Sequence, residues 1–112
     1  MIEYFEVLLS NETEVFLDGL DEKVRKKILY NIDKAKYILD PKLFKKLTNE
    51  IWEFRTKYGG LEYRLFAFWD KRDGKNTLVI ATHGFIKKTQ KTPKADIEKA
   101  TSIRKYYFNK NK

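Results

Sequence analysis

The sequence predicts an α+β domain in which an N-terminal strand and a helical hairpin pack on an antiparallel sheet and a C-terminal helix closes the fold. Three observations carry this. Apolar residues recur at helical spacing between residues 15 and 39. Three segments between residues 50 and 86 are dense in aromatic and aliphatic side chains and are separated by turn signals. Thr92-Pro93, an N-cap followed by proline at the first helical position, opens a last periodic segment. With 112 residues, 1–112 is expected to form one domain around a single core.

Residues 2–9 read as a first strand, with Tyr4, Glu6 and Leu8 on one side and Phe5, Val7 and Leu9 on the other. Asn11 and Glu14 have capping-box spacing, and Val15, Phe16, Leu20, Val24, Ile28, Ile32, Ala35 and Leu39 form the stripe that packs on the sheet. Gly19 and Asp21 break it into two helices, Asp21 capping the second. The opposite face, with Glu22, Lys23, Arg25, Lys26, Lys27, Lys34 and Lys36, is mixed in sign and reads as solvated. Asp40 and Pro41 end the hairpin, and Pro41 suits the first turn of a short helix reaching Leu47. Strands are predicted at 50–57, 61–69 and 77–86, joined through Tyr58-Gly59-Gly60 and residues 70–76 as an antiparallel meander. In the last helix Ile97, Ala100, Ile103 and Tyr107 share one face.

Hydrophobic residues make up 42% of the chain and charged residues 36%, a balance that excludes a disordered polyelectrolyte. Cysteine is absent, so disulfides and thiolate metal sites are excluded, and a cytoplasmic location is expected. Residues 1–10 contain Glu3 and Glu6 and lack the pattern of a signal peptide, and no stretch has the apolar length of a membrane span. The net charge of +8 is unevenly distributed: residues 1–82 carry 15 Lys+Arg against 14 Asp+Glu, whereas residues 83–112 carry nine against Asp96 and Glu98. Such asymmetry fits a polyanionic partner, nucleic acid or an acidic protein; a solvated basic tail is the other reading.

A two-residue loop at Gly59-Gly60 places Tyr58 opposite Leu61, Lys57 opposite Glu62, Thr56 opposite Tyr63 and Arg55 opposite Arg64. Two arginines directly opposed destabilise a sheet unless something anionic lies between them. Glu53 and Glu62 can supply it as a salt-bridge network, or an RNA phosphate can, since the guanidinium fork binds phosphate oxygens in pairs. The third strand runs out at His83-Gly84-Phe85-Ile86-Lys87-Lys88, which brings Lys87 and Lys88 near the arginines. Crowded cations lower one another's pKa, which suits a lysine to proton transfer. One histidine without cysteine holds zinc poorly, while Glu53, Glu62, Asp70 and Asp73 remain conceivable magnesium ligands. His83 reads as structural or catalytic. Trp52, Phe54, Phe66, Phe68 and Trp69 read as core; Tyr58, Tyr63, Tyr106 and Tyr107 read as core or as platforms for bases.

The ordered blocks Glu50-Ile-Trp-Glu-Phe-Arg55, Tyr58-Gly-Gly, Tyr63-Arg64-Leu-Phe, His83-Gly-Phe-Ile-Lys-Lys88-Thr-Gln-Lys-Thr-Pro93 and a helix with Ile97, Ala100 and Arg104 resemble the phage-derived HigB-like branch of the RelE/ParE toxin superfamily. The resemblance covers residues 47–107. It implies a RelE-like fold and metal-independent, cofactor-free cleavage of mRNA in the ribosomal A site by attack of a ribose 2′-OH. It also implies neutralisation by a cognate antitoxin, typically a helix-turn-helix protein, in a toxin-antitoxin hetero-oligomer with no membrane involvement. Carried over by position, Arg55, Arg64, Lys87 and Lys88 are the implied catalytic set, and Lys91, His83, Tyr58 and Arg104 the implied RNA contacts. The same fold also serves ParE-like proteins that inhibit DNA gyrase without chemistry, and an RNA-binding adaptor is a third class. The basic C-terminal quarter favours the nuclease.

Overall fold

Gly59 and Gly60 have φ of +58° and +79°, the left-handed pair that a tight hairpin loop needs between twisted strands. They join β3 (Trp52–Tyr58) to β4 (Leu61–Asp70) in the register expected from the sequence, including Arg55 opposite Arg64. A computed structural model describes residues 3–72, 74, 76–80, 84–87 and 94–110. The remaining elements are β1 (Glu6–Leu9), α1 (Asn11–Asp18), α2 (Glu22–Ala35), β2 (Phe44–Lys46), β5 (Thr77–Ile80), β6 (Phe85–Lys87) and α3 (Lys94–Lys110). The sheet order is β1-β5-β4-β3-β2, with β6 also paired to β4; β1 runs parallel to β5 and every other pairing is antiparallel. The architecture is the expected α+β arrangement.

Alternation along β3 and β4 divides the core. One sheet face, with Phe54, Tyr63, Leu65 and Ala67, buries Leu17, Val24, Ile28, Ile32 and Ala35 of α1 and α2. The other, with Phe66 and Phe68, packs against Ala100, Ile97, Ile103 and Tyr107 of α3, the face predicted for that helix. Tyr63 is buried in the first cluster and Tyr107 is packed into the second, so the core reading holds for both, whereas Tyr58 and Tyr106 are exposed. Tyr107 donates to Asp70 at 2.7 Å, and Arg72 bonds the same carboxylate at 2.8 Å while lying over the Phe108 ring. These contacts fasten the end of α3 to the end of β4.

Four local expectations are corrected. The cap of α1 is Ser10, whose Oγ accepts from the Thr13 amide at 3.2 Å, not Asn11 with Glu14. Thr13 is sealed from solvent, and that one-residue shift puts Leu17 inside and leaves Val15 72% exposed. Leu39 lies beyond the end of α2 and is exposed rather than in the stripe. The short helix expected from Pro41 is a single turn, with Leu43 and Phe44 amides bonding Asp40, followed by β2. Phe44 pairs with Phe54 and stacks on it at 4.5 Å, and on Trp52 at 4.8 Å; this non-local burial outweighs helix propensity. The strand expected at 77–86 is described as β5 and β6, with 81–83 outside the described residues.

Gly84 has φ +69°, and a Cβ there would lie 2.5 Å from Leu65 Cδ2 and 2.7 Å from the Phe16 ring. Gly84→Ala is therefore expected to cost about 2–4 kcal/mol through strain plus overpacking. Gly60→Ala, with open space around it, should cost about 1–2 kcal/mol; urea midpoints of the two variants check the order. A second expectation concerns pH. The Arg72 guanidinium, helped by the Tyr107 hydroxyl, holds the Asp70 carboxyl well below its ordinary 3.8. Because folding lowers this pKa, the contribution is present above 3.8 and is lost as pH falls below it. Asp70→Asn should flatten that acid limb in denaturation midpoints compared across the range.

Candidate functional site

Along the α3-facing side of β4 the character changes from Phe68 and Phe66, covered by α3, to Arg64 and Glu62 toward the hairpin. β3 contributes Glu53, Arg55 and Lys57 to the same side, because residues directly opposite across a sheet share a face. The arginine pair is therefore real, and so is the carboxylate network between its members. Glu53 Oε1 lies 3.6 Å from Arg64 Nη1 and 3.7 Å from Arg55 Nε, and Glu62 Oε2 lies 3.1 Å from Arg64 Nη2. Glu62 also meets Lys57 at 3.8 Å.

Burial separates the two arginines. The Arg64 side chain is 2% exposed, as is that of Glu53, while Arg55 keeps 30% of its surface. A charge sealed from water is costly unless paired, so buried Glu53, together with the nearer Glu62, is what allows Arg64 to sit there. The network is still incomplete: the Nε of Arg55 and of Arg64 are both buried without a hydrogen-bond partner.

β2 pairs only with residues 52–54 of β3, and the Arg55 amide bonds the Leu43 carbonyl at 2.8 Å. Among the described residues no strand continues along that edge of β3 toward Tyr58. A hollow of about 410 Å³ opens there. Arg55 and Lys57 of β3 and Glu62 and Arg64 of β4 line it together with Lys27, Asn31 and Lys34 of α2, and Lys42 and Leu43 of the following turn. Six of these nine residues are Lys or Arg and one is acidic, which gives the hollow a surplus of positive charge. The Asn31 amide donates to Thr56 Oγ1 at 3.1 Å inside the core, tying α2 to β3 beside it.

Of the residues singled out from sequence, Arg55 and Arg64 line the hollow. The Lys87 backbone is paired with Glu62, in the same cross-strand row as Lys57. Tyr58 ends β3 and is exposed. Arg104 is not among the lining residues; it contacts Glu50 at 3.4 Å and lies over Phe108 at 4.9 Å. His83, Lys88 and Lys91 lie outside the described residues. Lys27, Lys34 and Lys42 were missed: Lys27 and Lys34 sit on the helix face read as solvated, although their seven-residue spacing, with Asn31 between, puts them on one line. Among the described residues no three His, Cys, Asp or Glu side chains are grouped as metal ligands, and no helix is long and apolar enough to cross a membrane.

Removing Glu53 leaves Arg64 buried with less compensation. Glu53→Leu is expected to destabilise by roughly 3–5 kcal/mol, and Glu53→Leu with Arg64→Met to recover much of that, because the double change removes both charges. Guanidinium denaturation of the two variants measures it, and equal losses would refute the pairing as the main restraint on Arg64.

Among curated proteins none matches the chain significantly. The family model described as "Phage derived protein Gp49-like (DUF891)" matches residues 15–105, a span that contains the hollow together with Arg55, Tyr58, Arg64, His83, Lys87, Lys88, Lys91 and Arg104. The chain belongs to the Gp49-like family of phage-derived proteins, a RelE/HigB-type family associated with the toxins of toxin-antitoxin systems.

Proposed function

We propose that this protein is a HigB-like toxin that cleaves mRNA on the ribosome, using arginine and lysine side chains in place of a metal or other cofactor. The observation that carries the reading is the cross-strand Arg55–Arg64 pair at the wall of a hollow with six cationic lining residues. Buried Glu53 and half-buried Glu62 balance the two arginines, and Lys27, Lys34 and Lys42 are left to attract a polyanion. Arg55, the more exposed guanidinium, contacts the scissile phosphate; Arg64 adds its charge from beneath, where little water screens it.

The chemistry needs no water nucleophile. The ribose 2′-oxygen attacks the adjacent phosphorus as its proton passes to Lys87 or Lys88, and the bond from phosphorus to the 5′-oxygen breaks. The leaving 5′-oxygen takes up a proton from solvent, so that the products are a 2′,3′-cyclic phosphate and a 5′-hydroxyl. Arg55 and Arg64 hold the charge that grows on the phosphorane oxygens. Tyr58, His83, Lys91 and Arg104 are proposed contacts along the message. Holding the message bent in the ribosome supplies positioning, which alone removes a large part of such a barrier. The protein acts in the cytoplasm and is silenced by a cognate antitoxin, proposed to be a helix-turn-helix protein, in a hetero-oligomer.

Arg55→Ala is expected to lower cleavage on translating ribosomes by about 10²–10³-fold, the loss typical for a group that stabilises developing charge, and Lys87→Ala to slow it as well. Mapping 5′ ends of mRNA after brief induction reads the outcome. Cuts within codons of translated messages that weaken in both variants support the nuclease. Undiminished cuts in both variants overturn the site, and DNA damage without cuts replaces this reading with gyrase inhibition.

A further inference from the structure

Of the lining arginines and lysines, Arg55, Arg64 and Lys57 meet Glu53 or Glu62, yet the hollow extends beyond them to Lys27 and Lys34 of α2 and Lys42. None of these three lysines has a carboxylate within ion-pair distance among the described residues, whereas Lys26 is paired with Glu22 and Lys36 with Asp33. Lys27 and Lys34 are exposed and lie about 10 Å apart along the helix axis, two turns of one face. Among the described residues no aromatic side chain is part of the lining, and the ring of the exposed Tyr30 lies 5.5 Å from Lys27 Nζ. The buried Nε groups of Arg55 and Arg64 still lack acceptors.

The geometry points to a second phosphate position in the same hollow. The RNA backbone leaves the Arg55–Arg64 wall, crosses the open edge of β3 and rests a flanking phosphate on Lys27 and Lys34, with Lys42 beside them. This rests on the nuclease reading and adds where the strand goes. The subsite recognises single-stranded backbone and is indifferent to base identity, because charge that meets a phosphate carries no sequence information. Cleavage preference is then set elsewhere, and the α2 lysines set affinity and its dependence on salt.

The test uses the full-length protein and 2′-O-methyl oligoribonucleotides, which bind without being cut. A dinucleotide spans one phosphate and a pentanucleotide reaches further. Wild type should bind the pentanucleotide more tightly, and Lys27→Ala with Lys34→Ala should abolish that gain while leaving the dinucleotide about unchanged. Loss of the one phosphate held by the two lysines should reduce the slope of log K against log salt by about 0.7 for the longer strand. Lys23→Ala with Lys26→Ala removes equal charge from α2 at positions that do not line the hollow and should keep both the gain and the slope. No length gain in wild type, or equal losses in the two double variants, overturns the subsite. Cleavage on ribosomes is scored in parallel: a preserved length effect without cleavage sinks the nuclease reading and leaves the subsite, whereas cleavage without a length effect does the reverse.

Discussion

Arg64 carries a permanent charge into a place almost sealed from water, and what keeps it there is the carboxylate of Glu53, equally buried on the neighbouring strand. Neither charge is tolerable alone at that depth. Together they fix the diagonal between β3 and β4, and Glu53 reaches Arg55 with the same oxygen, so one carboxylate orders both guanidinium groups. The tight glycine hairpin supplies the register that makes this possible. A one-residue slip would put the arginines on opposite faces.

The rest of the fold is arranged around that end of the sheet. α1 and α2 fill one face with aliphatic side chains, and α3 covers the aromatic half of the other, held by Asp70, Arg72 and Tyr107. The charged half of that face runs into the edge beyond β2, where α2 brings its lysines alongside β3. A preorganised set of cations on rigid elements needs little rearrangement to receive an anion, which is what electrostatic stabilisation of a phosphorane requires. The carboxylates supply the anion that the opposed arginines need within the fold, and the phosphate of the proposed function draws on the lysines of the hollow that this network leaves unpaired.

Much of this was legible in the chain, and the failures have physical causes. The hairpin register, α2, the packed face of α3 and the Arg55–Arg64 meeting depend on glycine conformations and short periodicities. The helix expected after Pro41 did not form because Phe44 is buried against Phe54 and Trp52, residues that no local window includes. The cap of α1 moved to Ser10, and the burial stripe moved with it. Charge was the most misleading signal. Residues 1–82 are nearly balanced overall, yet all six cations of the hollow come from that stretch while most of its acids lie elsewhere.

By itself, then, the sequence determined which strands pair around Gly59-Gly60, which helix faces are apolar and that two arginines oppose each other, because these follow from interactions among near neighbours. Tertiary structure alone decided that Arg64 is buried and Arg55 is not, that residues 44–46 form an edge strand, and that Lys27, Lys34 and Lys42 join the arginines around one hollow. Burial and long-range electrostatics depend on the distances between segments far apart in the chain, and those distances exist only once the sheet and helices have packed.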